Sequence, residues 1–167
     1  MSDPLIEEGD RAPDFTLSAD DGTQVRLADL AGHPVVLYFY PRDNTPGCTR
    51  QAAGFRDAHP EFQAAGAVVL GISPDGVASH ARFRDRHDLN FRLLADPDHS
   101  VAQLYGTWRE KSAFGVQKMG LERSTFLVDP AGRVARVWRK VKVDGHAQEV
   151  LAALSSLGQN TQDSPAP

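Results

Sequence analysis

The sequence alternates between compact apolar runs and polar segments rich in Gly, Pro and Asp. Val35-Val36-Leu37-Tyr38-Phe39-Tyr40 is apolar or aromatic throughout. A run of that length without alternation is the pattern of a strand covered on both faces. Ala67-Val68-Val69-Leu70-Gly71-Ile72-Ser73 predicts a second buried strand. Asp14 to Leu17 and Gln24 to Leu27 flank the turn Asp20-Asp21-Gly22-Thr23 and predict an N-terminal hairpin. Phe91 to Leu94 is a short extended piece, and Thr125 to Val128 with Val134 to Val143 predicts a hairpin through Asp129-Pro130-Ala131-Gly132. Helical spacing begins at Pro46 and carries Phe55, Ala58, Phe62 and Ala65. Pro60 interrupts it, which predicts a kink or break at His59, with Pro60 starting a second short helix. Further helices are predicted from Ser73-Pro74 to about His87 and from Ser100 to Tyr105. The last carries Ala147, Val150, Leu151, Leu154 and Leu157 as one stripe and ends at Gly158.

Strand, helix, strand, then hairpin and helix indicate an α/β chain with a mixed central sheet flanked by helices. At 167 residues the expected organisation is a single domain over residues 1–158. Residues 159–167, polar with two prolines, are expected to form a disordered tail.

Composition narrows the function classes. The net charge is −4, which gives no general attraction to nucleic acid or to an anionic membrane. The N-terminal segment is acidic and lacks the apolar core of a signal peptide. No apolar stretch approaches spanning length. The expectation is a cytoplasmic protein with no nucleic-acid or membrane partner. A basic stretch, Arg136, Arg139, Lys140 and Lys142 around Trp138, reads as an exposed strand face. The histidines at 33, 59, 80, 87, 99 and 146 show no metal-ligand spacing, so neither a metal nor a cofactor is expected.

One residue changes this picture. Cys48 is the only cysteine. It follows the buried strand by way of Pro41-Arg42-Asp43-Asn44-Thr45-Pro46-Gly47. Pro41 ends the strand, because proline donates nothing to a sheet ladder. Thr45 is a good N-cap, and Pro46 suits the first helical position. Cys48 therefore falls in the first helical turn, where the helix dipole and unpaired N–H groups favour a thiolate. A buried cysteine filling a core gap is the alternative.

Tyr38 to Thr49 resembles the active-site segment of peroxiredoxins, and more narrowly of the bacterioferritin comigratory or Q-type subfamily. The family pattern of Pro, three residues, Thr, two residues, Cys is met by Pro41, Thr45 and Cys48. A second family segment is similar to Gly120-Leu121-Glu122-Arg123-Ser124-Thr125-Phe126-Leu127-Val128-Asp129. The resemblance runs from about Gly9 to about Leu157. It implies a thioredoxin-like fold and a thiol-dependent peroxidase acting on hydrogen peroxide and organic hydroperoxides. It also implies site roles: Cys48 as nucleophile, Arg123 and the Thr45 hydroxyl as stabilisers of the peroxide oxygens, Pro41 as a shield against water. Tyr40, Phe114 and Trp108 are candidates for lining a peroxide pocket, with core packing the alternative for Tyr40 and Trp108.

The departures matter as much. Many relatives carry a resolving cysteine five residues after the catalytic one, where this chain has Ala53. Others carry it in the next helix, near Phe83, where the matching position is Arg84. The chain is thus a one-cysteine variant. Its sulfenic acid lacks an internal partner and needs an external thiol, either thioredoxin, glutaredoxin or a low-molecular-weight thiol such as glutathione. Dithiol oxidoreductase chemistry is excluded for want of a second cysteine. The competing reading is a peroxide sensor or chaperone-like binding protein that uses Cys48 as a modification site. By analogy with the subfamily, the expected state is a monomer.

Overall fold

A computed structural model describes residues 6–113 and 115–163. Nine strands and four α-helices occur among them: β1 (Thr16–Ala19), β2 (Gln24–Arg26), β3 (Val35–Phe39), α1 (Pro46–Ala64), β4 (Val68–Ser73), α2 (Val77–Arg86), β5 (Arg92–Ala95), α3 (Ser100–Leu104), β6 (Trp108–Ala113), β7 (Val116–Leu121), β8 (Ser124–Val128), β9 (Val134–Arg139) and α4 (His146–Asp163). Seven strands form one sheet in the order β2-β1-β5-β4-β3-β8-β9. β3, β4 and β5 run parallel, while β1 and β8 join them antiparallel. The sheet is therefore mixed, as the pattern indicates.

β3 lies inside the sheet between β4 and β8 and is buried at every position. Val36, Tyr38 and Tyr40 join Cys48, Ala52, Phe55 and Phe62 of α1 and Val150 and Leu154 of α4 on one face. Val35, Leu37 and Phe39 join Val101 and Tyr105 on the other. The unalternating apolar run is thus explained by a strand with a core on each side.

Four expectations are corrected. First, α1 is one helix of 19 residues with Pro60 inside it, so the chain does not break at His59 and no second helix starts at Pro60. Proline there leaves the carbonyl four residues earlier without its helical donor. That carbonyl, Arg56 O, accepts instead from the Asn90 side-chain amide at 3.2 Å. Second, α2 starts at Val77 after Gly76 rather than at Ser73. Ser73 ends β4, and its hydroxyl donates to the Asp75 carboxylate at 2.9 Å while accepting from the Asp75 amide at 3.1 Å. This local bonding competes with helix. Third, β6 and β7 pair as a separate hairpin where the sequence pattern predicts no strand. Val116 and Met119 of β7 are exposed and only Leu121 is buried, so its apolar positions do not alternate with burial. Fourth, α4 passes Gly158, the expected end of the last helix, and continues to Asp163. A single interior glycine costs a helix only about 1 kcal/mol. Residues 164–167 lie outside the described residues. β9 also stops at Arg139, short of Val143. Arg139 turns inward and donates to the carbonyls of Gly106 and Ile6, so the basic stretch is only partly an exposed face.

Candidate active site

The site forms where β3 hands over to α1. Tyr40 still pairs with the sheet, its amide donating to Ile72 O at 3.0 Å. The chain then leaves through Pro41 and Arg42, both exposed. Asn44 adopts φ 64°, the left-handed conformation that asparagine tolerates better than most residues. Thr45 is the extended N-cap, Pro46 the first helical residue, and Cys48 the third. Cys48 is 1% exposed.

The Thr45 hydroxyl does not cap α1. It donates to Arg42 O at 3.0 Å, so the N-cap side chain leaves the first-turn amides untouched. Two consequences follow. The amides at the start of α1 stay available to an anion beside Cys48. The Thr45 oxygen, having given its one proton to Arg42 O, keeps lone pairs to accept a hydrogen bond.

Arg123 comes from 75 residues away in sequence, and sheet register brings it in. β8 runs antiparallel to β3 with Ser124 opposite Phe39, so the residue just before β8 lands at the end of β3 where α1 begins. Its Nη2 donates to Cys48 Sγ at 3.3 Å and its Nη1 to Gln51 Oε1 at 2.5 Å. A guanidinium presents such donors in a fixed fork and stays charged. Arg123 therefore faces the cysteine rather than its neighbour Glu122.

Gln51 is the site residue that sequence reasoning passed over. It stands one helical turn after Cys48, the i,i+3 spacing that places two side chains on one helix face. That spacing was the available signal. Gln51 is 2% exposed and holds the second arm of the Arg123 fork.

Behind the loop lies a polar cluster with no signature in the linear sequence. The Asp43 carboxylate accepts from Tyr40 Oη at 2.6 Å, Ser79 Oγ at 2.8 Å and His80 Nδ1 at 2.8 Å. Burial alone would raise the Asp43 pKa, but the hydrogen bonds from His80, Tyr40 and Ser79 prevail and hold it below the usual carboxylate range. The Tyr38 and Tyr40 phenols, in turn, are pushed well above theirs, chiefly by burial. On the other flank, His146 Nε2 meets Thr125 Oγ1 at 2.8 Å and Nδ1 meets Glu149 Oε1 at 3.0 Å. Burial lowers the His146 pKa despite Glu149, and the charge of Arg123 adds to the lowering.

Of the proposed pocket aromatics, Tyr40 is a core residue whose ring shares the apolar cluster of Cys48. Trp108 stacks on His99 with ring centroids 3.6 Å apart. Phe114 lies outside the described residues. Ala53 and Gly54 line a groove of about 430 Å³ between α1 and the start of α4. Arg84 is committed elsewhere, donating to Asp20 Oδ2 at 2.8 Å and Leu89 O at 3.1 Å.

Comparisons with known proteins agree with this geometry. The AhpC/TSA family model matches residues 8–137. The chain is 47% identical over 154 residues to peroxiredoxin Bcp of Bacillus subtilis, covering 92% of this chain and 98% of the relative. It is 50% identical over 149 residues to a putative peroxiredoxin bcp of Coxiella burnetii, covering 89% and 99%. A structure of Xanthomonas campestris peroxiredoxin Q superposes with TM-score 0.83 at 47% identity, over 85% of this chain and 90% of that one. A structure of the Xanthomonas campestris bacterioferritin comigratory protein, described in terms of its alkyl peroxide reduction activity, gives TM-score 0.86 at 44% identity, over 93% and 99%. The mixed sheet is thus that of a thioredoxin-like fold, and a lone cysteine in the first turn of α1, under an arginine delivered by β8, places the chain in the AhpC/TSA family as a thiol-dependent peroxidase of the Bcp, or Q-type, peroxiredoxins.

Proposed function

We propose that the enzyme reduces hydrogen peroxide and organic hydroperoxides by a one-cysteine cycle at Cys48. The observation that carries this reading is the 3.3 Å contact between Arg123 Nη2 and a buried Cys48 Sγ. The thiolate attacks the terminal peroxide oxygen. An S–O bond forms and the O–O bond breaks. The alkoxide or hydroxide that leaves takes a proton from solvent, giving a sulfenic acid and an alcohol or water. Arg123 and the first-turn amides of α1 stabilise the charge that moves from sulfur to the departing oxygen. The Thr45 oxygen accepts a hydrogen bond from the peroxide hydroxyl and aligns it. Pro41, at the exposed mouth of the site, limits water around the thiolate.

The sulfenic acid is then attacked by an external thiol, releasing water and leaving a mixed disulfide. A second thiol frees Cys48 and departs as disulfide. Thioredoxin, glutaredoxin and a small thiol are the candidate reductants. In this reading the chain is a cytoplasmic monomer, one domain over residues 1–158. Among the described residues no helix is long and apolar enough to cross a membrane.

The test is Cys48→Ser, assayed for peroxide consumption with each of the three reducing systems. Loss of all turnover with an unchanged circular dichroism spectrum is expected, since a serine hydroxyl stays protonated here. Turnover retained in the purified variant would eliminate the mechanism.

A further inference from the structure

The buried cluster behind the loop holds a carboxylate almost wholly removed from water. His80 is 0% exposed and Asp43 6%. His80 Nδ1 lies 2.8 Å from Asp43 Oδ2, and Nε2 lies 3.0 Å from Leu94 O. Both ring nitrogens of His80 thus face acceptors, a carboxylate on one side and a carbonyl on the other. Such a pair adds little stability over an apolar replacement, and its best-attested use is to specify one arrangement.

We propose that His80 is a positioning residue for peroxide reduction: through Asp43 it fixes the loop that aims the Thr45 hydroxyl. Asp43 sits between the two residues that matter. On one side, Arg42 offers the carbonyl that receives the Thr45 proton at 3.0 Å. On the other, Asn44 holds the left-handed turn into α1. Asp43 is gripped by side chain and backbone alike, its amide donating to Asp75 Oδ2 at 2.7 Å. These anchors come from Tyr40 just after β3, from α2 and from the β4–α2 connection. α2 is itself pinned at its far end, where Arg84 holds Asp20 and Leu89 O. The path runs from α2 through His80 and Asp43 to the Arg42 carbonyl and then to the Thr45 oxygen. Because that hydroxyl does not cap its own helix, its direction depends on where the Arg42 carbonyl stands.

The inference rests on the proposed role of Thr45, and the experiment separates the two. Stopped-flow rates of Cys48 oxidation by hydrogen peroxide are compared with rates of alkylation by iodoacetamide, which needs the thiolate but not an aligned peroxide. His80→Gln reaches Leu94 O but leaves Asp43 without its donor. It is expected to slow oxidation about tenfold, since a misplacement near 1 Å costs about 100-fold, with alkylation unchanged. His80→Asn keeps a donor where Nδ1 stood and is expected to restore the rate to within about threefold of the parent, the same misplacement rule giving little loss. Ser79→Ala removes one hydroxyl donor from Asp43 without altering the core, and should slow oxidation less than His80→Gln but measurably. It stands as the deciding variant if His80→Gln does not fold. Parent oxidation rates in the folded variants would overturn the inference. So would oxidation and alkylation falling in equal proportion, or His80→Asn matching His80→Gln. If Thr45→Val oxidises at the parent rate, the role of the hydroxyl fails and the inference fails with it. If Thr45→Val is slow while Ser79→Ala and His80→Gln are not, only the inference fails.

Discussion

Two glycines in α1 make a matched pair for testing whether the position of Arg123 controls the rate. A Cβ added at Gly47 would lie 3.3 Å from Arg123 Nη2, the atom that donates to Cys48 Sγ at 3.3 Å. Unstrained contacts need about 3.5–4.0 Å, so Gly47→Ala forces the guanidinium back by about 0.3 Å. Taken along the line to sulfur, and at an effective dielectric constant of about 20, that retreat weakens the charge–charge attraction by about 0.4 kcal/mol, about twofold in rate. Misalignment adds to it. If 1 Å costs about 100-fold, 0.3 Å costs about fourfold. Oxidation of Cys48 should therefore slow by about two- to eightfold. Stability should move the other way, because alanine is favoured over glycine in a helix by up to about 1 kcal/mol, which is about 2–4 °C in Tm for a chain of this size. At Gly54 the added Cβ meets only Ala147 Cβ at 3.6 Å, an ordinary contact. Gly54→Ala should gain the stability and keep the oxidation rate. The assay is single-turnover stopped-flow oxidation beside a thermal melt. A Gly47→Ala enzyme that is oxidised at the parent rate would refute the claim that the Nη2–Sγ distance limits the reaction. Equal slowing at Gly54→Ala would refute the steric cause.

Other outcomes follow from the same structure. Arg123→Ala should slow peroxide oxidation by about 10²–10³, the usual loss when a preorganised donor is removed, and it strands buried Gln51 without a partner for Oε1; parent rates in stopped flow would contradict this. Ala53→Cys should form an intramolecular disulfide with Cys48 after peroxide treatment, lose dimedone labelling and gain turnover with thioredoxin. Cα atoms five apart in a helix are separated by about 8.6 Å and a disulfide needs less than about 7 Å, so the first turns of α1 must unwind; a sulfenic acid that persists would show that α1 stays closed. Thermal stability should fall as pH drops from about 7 to about 5. His59 and His146 both have folded pKa values lowered by burial, so below the ordinary histidine value the unfolded chain binds more protons than the fold and acid favours unfolding. A Tm that does not change over that range would contradict it.

The sequence by itself determined the features that depend on neighbouring residues. The unbroken run Val35 to Tyr40 required a strand buried on both faces. Thr45-Pro46 required a helix start, and the three-residue step to Cys48 then placed the thiol among the first-turn amides. The Asp20–Thr23 turn and the apolar stripe of the last helix were legible for the same reason, because turn chemistry and periodicity act over a few residues. Tertiary structure decided everything that depends on what another segment supplies. Pro60 stays inside α1 because Asn90, thirty residues on, donates to the carbonyl the proline leaves open. Arg123 reaches Cys48 because the register of β8 on β3 sets Ser124 against Phe39, which the resemblance implied but no local pattern contains. The hairpin β6–β7 pairs only with itself in the sheet topology, and β7 is exposed from Val116 to Met119 and buried only at Leu121, so hydrophobic alternation does not mark it. The Asp43–His80 pair joins residues 37 positions apart. A buried carboxylate is tolerable only where the fold brings partners within hydrogen-bond reach, and that condition is met by the packing of α2 under the β3–α1 loop, which neither segment specifies alone.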